Sequence, residues 1–304
     1  MRSGRVEAVH RGAVAIVDRT GSLVASAGDV ERPFFARSAL KPFQSAVSRR
    51  FGADLHGESL ALACASHAGL PEHLAVVRRM LDEVGLDESA LRTPADWPFS
   101  PDGRAAVALS GATEPTPLFH NCSGKHAGVL RACVASELPT VPYESTDHPI
   151  QVAVRVLLEA WVGHDLPEPG VDGCGLPVHA TSTRDLARLF SVLATDEELA
   201  DQRAVMSGHP VLIGDVGRPD GVLSAAGFPA KHGAEGCIGV AVPQLGLGIA
   251  IKVWDGSPRP EGAAAAAALD HLGLLDPELA EVLHTPILGG GKPVGEIRPV
   301  LELS

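Results

Sequence analysis

Residues 237–253 read CIGVAVPQLGLGIAIKV, and they contain two runs in which large and small side chains alternate. Aliphatic residues occupy every second position of each run, and Cys, Gly, Ala and Lys occupy the positions between them. Alternation with a period of two is typical of β-strands, and the four residues 243–246 between the runs suit a hairpin loop. We therefore predict an antiparallel hairpin in this part of the chain.

The hairpin has a predicted register. If Val242 lies opposite Leu247, then Cys237 lies opposite Lys252, with Cβ atoms about 5 Å apart. Both side chains then project from the face that otherwise carries only Gly and Ala. A small-residue face with one thiol and one amine is typical of a site wall. The alternative is that a helix packs closely on the Gly and Ala residues while the Lys252 amine reaches solvent.

Strands are also predicted near the N-terminal end. The apolar runs 13–17 and 23–25 are separated by the turn residues 18–21. Strands at both ends with helices between them predict an α/β fold, more narrowly α+β. In this fold one antiparallel sheet is built from both chain ends and a helical region is inserted. We predict a single domain over residues 1–304.

The middle of the chain is predicted to be helical. Apolar residues recur there at intervals of three and four positions, which is the period of an amphipathic helix. Ser182 and Asp185 resemble a capping box at the start of one of these helices, with Asp in place of Glu. An Ala-rich helix follows the hairpin. The predicted helical stretches are 77–84, 154–161, 186–193 and, approximately, 262–272.

Composition excludes some classes of partner. The chain has 304 residues, with 25 Lys and Arg against 37 Asp and Glu, and a formal net charge of −12. Nucleic acids and anionic membranes bind basic patches, so we expect neither as a partner. No signal peptide and no uncharged apolar run of about 18 residues is visible. Five widely spaced cysteines without a CxxC motif suit a reducing, cytoplasmic setting.

Residues 37–41, RSALK, contain a Ser-x-x-Lys pattern closed by Pro42. If this segment opens a helix, Ser38 and Lys41 lie on one face, within hydrogen-bonding reach. A serine hydroxyl becomes a good nucleophile when a neighbouring base takes its proton, and a lysine serves as that base when its pKa is lowered. The pattern also occurs in β-lactamases and penicillin-binding proteins. Alone it is short enough to arise by chance.

Further segments occur in order with this pattern. They are CASH at 64–67, NCSGKH at 121–126, VDGCG at 171–175, GAEG at 233–236 and the closing strand that ends in Lys252. Together with RSALKPFQ at 37–44, they resemble the class 3, rhizobial-type L-asparaginases, a family also called asparaginase II. The resemblance extends from about Val6 to Leu275. The joint occurrence of these motifs is specific, whereas any one of them alone is not.

The resemblance implies a fold similar to serine β-lactamases and glutaminases, and catalysis by two serine–lysine pairs. The pairs would be Ser38 with Lys41, and Ser66 with Lys252. Ser38 would be the nucleophile and Lys41 its base, while the second pair would relay protons. The reaction would be hydrolysis of L-asparagine to L-aspartate and ammonia through a Ser38 acyl-enzyme. The resemblance also implies a homodimer.

The resemblance further implies a zinc ion and a substrate pocket. The zinc ligands would be Cys122, Lys125 and Cys237, with water as the fourth ligand. Cys174 stays unassigned. Three residues match pocket positions: Asp172 suits the α-ammonium group of the substrate, and Arg37 or His126 suits its α-carboxylate. The metal would support the pocket and need not take part in the chemistry.

The chain departs from the family pattern at three places. His120 stands where Asn is usual, Pro219 stands in an altered Arg-Phe-Asp-Thr segment, and Trp254 is unusually bulky. These changes leave the catalytic set intact but bear on substrate preference. Two other interpretations stay open: a serine amidase acting on another amide or a β-lactam, and a zinc- or thiol-based binding protein without enzymatic activity. Asp172 favours a free amino acid as substrate, and the binding protein leaves both serine–lysine pairs unexplained.

Overall fold

The computed structural model describes residues 1–214 and 217–304 of the chain. By their internal contacts the residues form two compact units. The first unit comprises Met1–Ala39, Thr181–Asp196 and Gly217–Ser304, and the second comprises Leu40–Ala180 and Glu197–Val216. The expectation of one domain over 1–304 stays a prediction.

The strands lie mainly towards the two ends of the chain. They are β1 (Gly12–Asp18), β2 (Leu23–Ala27), β3 (Phe34–Phe35), β4 (Gly170–Val171), β5 (Pro177–Val178), β6 (Ala180–Thr181), β7 (Ala230–Gly233), β8 (Cys237–Val242), β9 (Leu247–Val253), β10 (Pro286–Gly289) and β11 (Lys292–Glu296).

The helices lie mainly in the middle of the chain. They are α1 (Lys41–Arg50), α2 (Gly57–Ala63), α3 (Pro71–Asp82), α4 (Pro101–Leu109), α5 (Ser123–Ala135), α6 (Pro149–Val162), α7 (Thr183–Thr195), α8 (Ala200–Gly208), α9 (Pro210–Ile213), α10 (Pro219–Ala225), α11 (Glu261–His271) and α12 (Pro277–Leu283). Short 3₁₀ turns occur at Arg37–Leu40, Glu88–Ala90, Pro117–Phe119 and Glu197–Leu199.

The first unit is built on a five-stranded sheet in the order β2-β1-β9-β8-β7. Neighbouring strands are antiparallel. The predicted sheet built from both chain ends is therefore confirmed. The turn between β1 and β2 forms because the Asp18 carboxylate accepts the Thr20 N–H at 2.8 Å and Gly21 adopts a positive φ of 87°.

The predicted hairpin and its register are confirmed, since Val242 pairs with Leu247 and Cys237 pairs with Lys252. Helix α7 packs closely on the small-residue face, as the alternative interpretation proposed. A methyl group on Gly239 would collide with the Phe190 ring, and one on Gly248 would collide with the backbone of α7. The other part of that alternative is wrong, because Lys252 is only 6% exposed.

The opposite face of the sheet carries the large aliphatic side chains and forms the core of the first unit with α11. Val240, Ile249 and Ile251 are buried there together with Ala265 and Ala268 of the Ala-rich helix. The small side chains of α11 let the helix approach the sheet closely. The sheet is thus covered by α7 on one face and by α11 on the other, with β8 and β9 buried along their whole length.

The second unit is mainly helical, with α5 buried at its centre. Helix α5 packs against α1, α2 and α3. The predicted helices around 77–84 and 154–161 correspond to α3 and α6, and α3 ends two residues earlier than predicted. In the first unit, α7 begins with the predicted capping box between Ser182 and Asp185. No helix within residues 1–214 and 217–304 is both long and apolar enough to cross a membrane.

Candidate active site

Ser38 lies in the first unit, in the 3₁₀ turn Arg37–Leu40 that leads into α1. Arg37 adopts a positive φ of 53°, a conformation that few residues other than glycine occupy. Such strain is concentrated at functional sites. The Ala39 N–H donates to the Ala36 carbonyl at 3.1 Å and closes the turn, which leaves Ser38 half-buried.

Strand β7 supports this turn from within the first unit. A methyl group on Gly233 would collide with the Ala36 carbonyl oxygen and would lie 2.6 Å from the Cys237 sulfur. The Cys237 thiol donates to the same carbonyl at 3.4 Å. Burial raises the pKa of this thiol to about 12, so Cys237 is a protonated thiol in this structure.

Lys252 lies opposite Cys237, and its amine donates to the Glu235 carbonyl. The amine is also 5.3 Å from the centre of the Phe34 ring and 5.9 Å from that of Trp254, both within the range of a cation–π contact. The Arg32 guanidinium also lies over this ring, 4.4 Å from the centre of Trp254. The unusual Trp254 therefore contributes to the surroundings of the Lys252 amine.

In the second unit, the structure brings Lys41 and Ser66 together. The Lys41 amine is completely buried and donates to the Ser66 hydroxyl at 3.0 Å and to the Ala65 carbonyl. Burial lowers the pKa of Lys41 below its usual 10.5, and the Lys125 charge lowers it further, while Cys122 and Cys174 oppose the shift. A lowered pKa is what a lysine needs in order to accept a proton near neutral pH.

The second unit also brings Cys122, Lys125 and Cys174 together. Cys122 immediately precedes α5, and Lys125 lies in the first turn of that helix. The β4–β5 turn carries Cys174, and the Lys125 amine donates to the Cys174 sulfur at 3.2 Å. A hydrogen bond from Cys122 and the Lys125 charge lower the pKa of Cys174 to about 5, although burial opposes the shift. This lowered pKa favours the thiolate form of Cys174 at neutral pH.

This donor set fits a zinc ion. Thiolate sulfur is a good zinc ligand, and a deprotonated lysine amine beside two cysteines would supply a third donor. Within residues 1–214 and 217–304, no three His, Cys, Asp or Glu side chains lie close enough to hold a metal by themselves. A metal at this place would therefore require the Lys125 amine. Burial acts to lower the pKa of Lys125, but the neighbouring charges, chiefly that of Cys174, together outweigh it and raise this pKa, so metal binding would have to displace the lysine proton.

Two of the predicted pocket residues lie in the same unit as this cluster. Asp172 precedes Cys174 in the β4–β5 turn, with its carboxylate 3.8 Å from the Cys174 sulfur. His126 follows Lys125 and is completely buried, and burial lowers its pKa to about 3. The Tyr143 hydroxyl accepts the Arg92 N–H at 2.8 Å and is hydrogen-bonded to His126 Nδ1 at 2.7 Å. The lowered pKa makes His126 neutral, and with the Tyr143 hydroxyl as donor its single ring proton lies on Nε2.

Two features of the structure are not predictable from the sequence. The first is the contact of Cys174 with Lys125, because Cys174 has no partner at ligand spacing and only the VDGCG motif marks its position. The second feature is a buried ion pair beside β7, in which the Lys231 amine donates to the Asp220 carboxylate at 2.7 Å. Asp220 belongs to the altered segment that contains Pro219, and α10 begins in this segment at Pro219. His120, the third departure, accepts the Cys122 N–H at Nδ1, 3.0 Å away.

Among solved structures, the chain is similar to a protein named Mglu in its native form, with 16% identity and a TM-score of 0.48. The match covers 88% of this chain and 66% of that one. A Bacillus glutaminase matches with 13% identity and a TM-score of 0.48, over 87% of this chain and 92% of the other. A β-lactamase from Mycobacterium bovis matches with 17% identity and a TM-score of 0.45, over 86% and 94%.

The comparison with curated proteins gave no match. The comparison with protein families did give one, and it extends over nearly the whole chain. The family described as L-asparaginase II matches residues 1–299. This range contains Ser38, Lys41, Ser66 and Lys252, and also the Cys122, Lys125 and Cys174 cluster. The chain therefore belongs to the L-asparaginase II family of amidohydrolases.

Proposed function

We propose that this protein hydrolyses the side-chain amide of L-asparagine to L-aspartate and ammonia, with Ser38 as nucleophile. The observation that carries the proposal is the Lys41 amine, which is completely buried, has a lowered pKa and donates to the Ser66 hydroxyl. Lys41 stands three positions after Ser38 in the sequence. A neutral amine at this position would act as the base for a serine nucleophile.

The proposed reaction has two halves. In the first, Lys41 takes the Ser38 proton as the hydroxyl oxygen attacks the amide carbon, the C–N bond breaks, and ammonia leaves with a proton returned by the lysine. The product is a β-aspartyl ester of Ser38. In the second half, water attacks the ester carbon while Lys41 takes its proton. The C–O bond to Ser38 then breaks as the lysine returns that proton to the serine oxygen, and L-aspartate is released. Ser66 and Lys252 would move protons to and from this centre.

The other proposed roles concern substrate binding. The Asp172 carboxylate would bind the α-ammonium group of the substrate. Of the two groups named for the α-carboxylate, only Arg37 carries a charge, because His126 is neutral with its pKa lowered to about 3. His126 would instead donate a hydrogen bond from Nε2, which has no partner in the described part of the chain. We therefore assign the ionic contact with the α-carboxylate of the substrate to Arg37.

We also propose a zinc ion held by Cys122 and Lys125. The family resemblance implies Cys237 as the third protein ligand, whereas the hydrogen bond from Lys125 to Cys174 supports Cys174 at this position. When bound, zinc would supply a fixed positive charge that orients an anionic group of the substrate.

A homodimer is also proposed, on the family resemblance alone. Light scattering of the purified protein would test it.

The experiment that tests the proposed function is ammonia release by the wild type and by Ser38→Ala, with L-asparagine and L-glutamine as separate substrates. We expect release from L-asparagine by the wild type and none above background by the variant. Preferred release from L-glutamine would change the proposed substrate but keep the nucleophile. Release that survives Ser38→Ala would show that the nucleophile is misassigned. No release from either amide would favour another amide substrate or the binding protein.

A further inference from the structure

A cavity of about 800 Å³ lies within the first unit. Val14 of β1 and Ile251 and Val253 of β9 form part of its wall, and Ala263 and Ala264 of α11 form another part. Most of these residues also belong to the buried core between the sheet and α11. The cavity is therefore a continuation of that apolar core. Its volume falls in the range of small-molecule sites, which is about 300–1,000 Å³.

Two irregular segments, 6–11 and 297–302, complete the wall of the cavity. Both are held in place at their ends. The Met1 amine donates to the Glu296 carbonyl at 2.8 Å, and the Ser304 backbone pairs with Ser26, with the Ser26 N–H donating at 3.0 Å. The two terminal segments therefore form part of the cavity wall, and they are held at Met1 by β11 and at Ser304 by β2.

The rim of the cavity is also apolar. Val6, Val9 and Val300 line it, and they are 68%, 69% and 91% exposed. Exposed aliphatic side chains are unremarkable one at a time, but a group of them around a concave apolar wall indicates a binding site. Burial of such side chains against an apolar ligand would be favourable, at about 25 cal/mol per Å² of apolar surface removed from water.

The charged groups of the wall favour an anion. Arg11, Arg259 and Arg298 line the cavity, and in the part of the chain that the structure describes their side chains form no hydrogen bond or ion pair. The acidic residues of the wall are Glu7, which is paired with Arg2 at 2.6 Å, and Glu302. This excess of unpaired guanidinium groups is notable in a chain with a net charge of −12. Guanidinium groups bind carboxylates through paired hydrogen bonds.

We propose that this cavity binds an amphipathic carboxylate, with an aliphatic chain on the wall formed by Val14, Ile251 and Val253 and its carboxylate among the three arginines. This site is distinct from the proposed amide hydrolysis and does not depend on it. Lys252 lies between Ile251 and Val253 on β9, so the ligand would contact the strand that carries this lysine. The site would thus give the protein a second class of ligand.

The test is calorimetric titration of the full-length protein with laurate below its micellar concentration. Dodecyltrimethylammonium serves as the control ligand, because its alkyl chain is as long as that of laurate and its head group has the opposite charge. We expect saturable binding of laurate, and binding of the cation at least about tenfold weaker, which corresponds to about 1.4 kcal/mol. Excess L-asparagine should not displace laurate. Equal binding of the two amphiphiles, or displacement by L-asparagine, would overturn the proposal.

Three exposed positions provide variants that should leave the fold intact. Arg259→Glu and Arg298→Glu reverse a charge at the wall, and Val300→Asp places a carboxylate on the rim. Each should weaken laurate binding by about tenfold or more, given the strength of charge-assisted contacts. Arg78→Glu, at an exposed position of α3 in the second unit, is the matched control and should bind laurate as the wild type does. No saturable binding, or equal binding by all four variants, would refute the site.

Discussion

The buried amine of Lys41 determines the pH range in which the proposed reaction runs. Only the neutral amine accepts the Ser38 proton, and burial lowers the pKa of Lys41. As the pH rises through this lowered pKa, the neutral fraction of the Lys41 amine grows. The value of kcat/KM should therefore increase from acidic to alkaline pH. Lys41→Met removes the amine but keeps an unbranched side chain. We expect ammonia release to fall by about 10²- to 10⁴-fold, the usual contribution of a positioned base.

The control for this prediction is Lys292→Met, which changes an exposed lysine on the β10–β11 hairpin. It should keep both the rate and the pH profile of the wild type. Circular dichroism of both variants shows whether the fold is kept. A folded Lys41→Met variant with the wild-type rate would exclude Lys41 as the base.

The two cysteines that are alternatives for the third zinc ligand, Cys174 and Cys237, can be distinguished by the zinc content of variants. Cys174 lies within hydrogen-bonding distance of the Lys125 amine, whereas Cys237 donates to the Ala36 carbonyl as a protonated thiol. We therefore expect Cys174→Ala to lose zinc and Cys237→Ala to keep it, as measured by mass spectrometry of the purified proteins. Cys133→Ala, a buried cysteine of α5, is the control. Loss of zinc in Cys237→Ala with retention in Cys174→Ala would restore the ligand set named from the sequence.

Strand β7 and the turn that carries Ser38 are in close contact at Gly233. Gly233→Ala would push a methyl group into the Ala36 carbonyl and the Cys237 sulfur. We expect a loss of about 1–3 kcal/mol in the free energy of unfolding, as is usual for overpacking. We also expect a lower kcat, because the shifted turn would misplace the Ser38 hydroxyl. Urea denaturation and ammonia release measure the two effects separately.

Gly208→Ala is the matched substitution, because a methyl group there meets no atom within 4 Å. It lies at the last position of α8 and should be neutral or slightly stabilising, since alanine is the better helix former. If Gly233→Ala and Gly208→Ala had equal stability and equal kcat, β7 would not position the turn.

Features of this molecule that are encoded by neighbouring residues could be predicted from the sequence, whereas features formed by distant segments could not. The register of β8 and β9 followed from a period of two and a four-residue loop, so Cys237 opposite Lys252 was predicted correctly. The contact between Lys125 and Cys174 joins residues 49 positions apart, through a turn between two-residue strands that no periodicity indicates. Likewise, no spacing rule pairs Lys231 with Asp220.

The acid stability of the molecule provides the last prediction, and it depends on buried neutral histidines. His179 is 1% exposed, and neither of its ring nitrogens has a hydrogen-bonding partner in residues 1–214 and 217–304. Burial lowers its pKa to about 4 from the usual 6.5. Between these values the unfolded chain takes up a proton that the folded chain does not, so stability falls as the pH falls below 6.5. At pH 5 this titration lowers the free energy of unfolding by about 2 kcal/mol relative to neutral pH.

His179→Leu removes this titration and replaces an unsatisfied buried ring with an apolar side chain. We therefore expect the variant to lose about 2 kcal/mol less than the wild type between pH 7.5 and pH 5, in urea denaturation at both values. His271→Leu, at an exposed position near the end of α11, should follow the wild type. His126, whose pKa is lowered to about 3, adds a loss of the same sign that both variants retain. An identical loss in His179→Leu and the wild type would mean that His179 does not contribute to acid sensitivity.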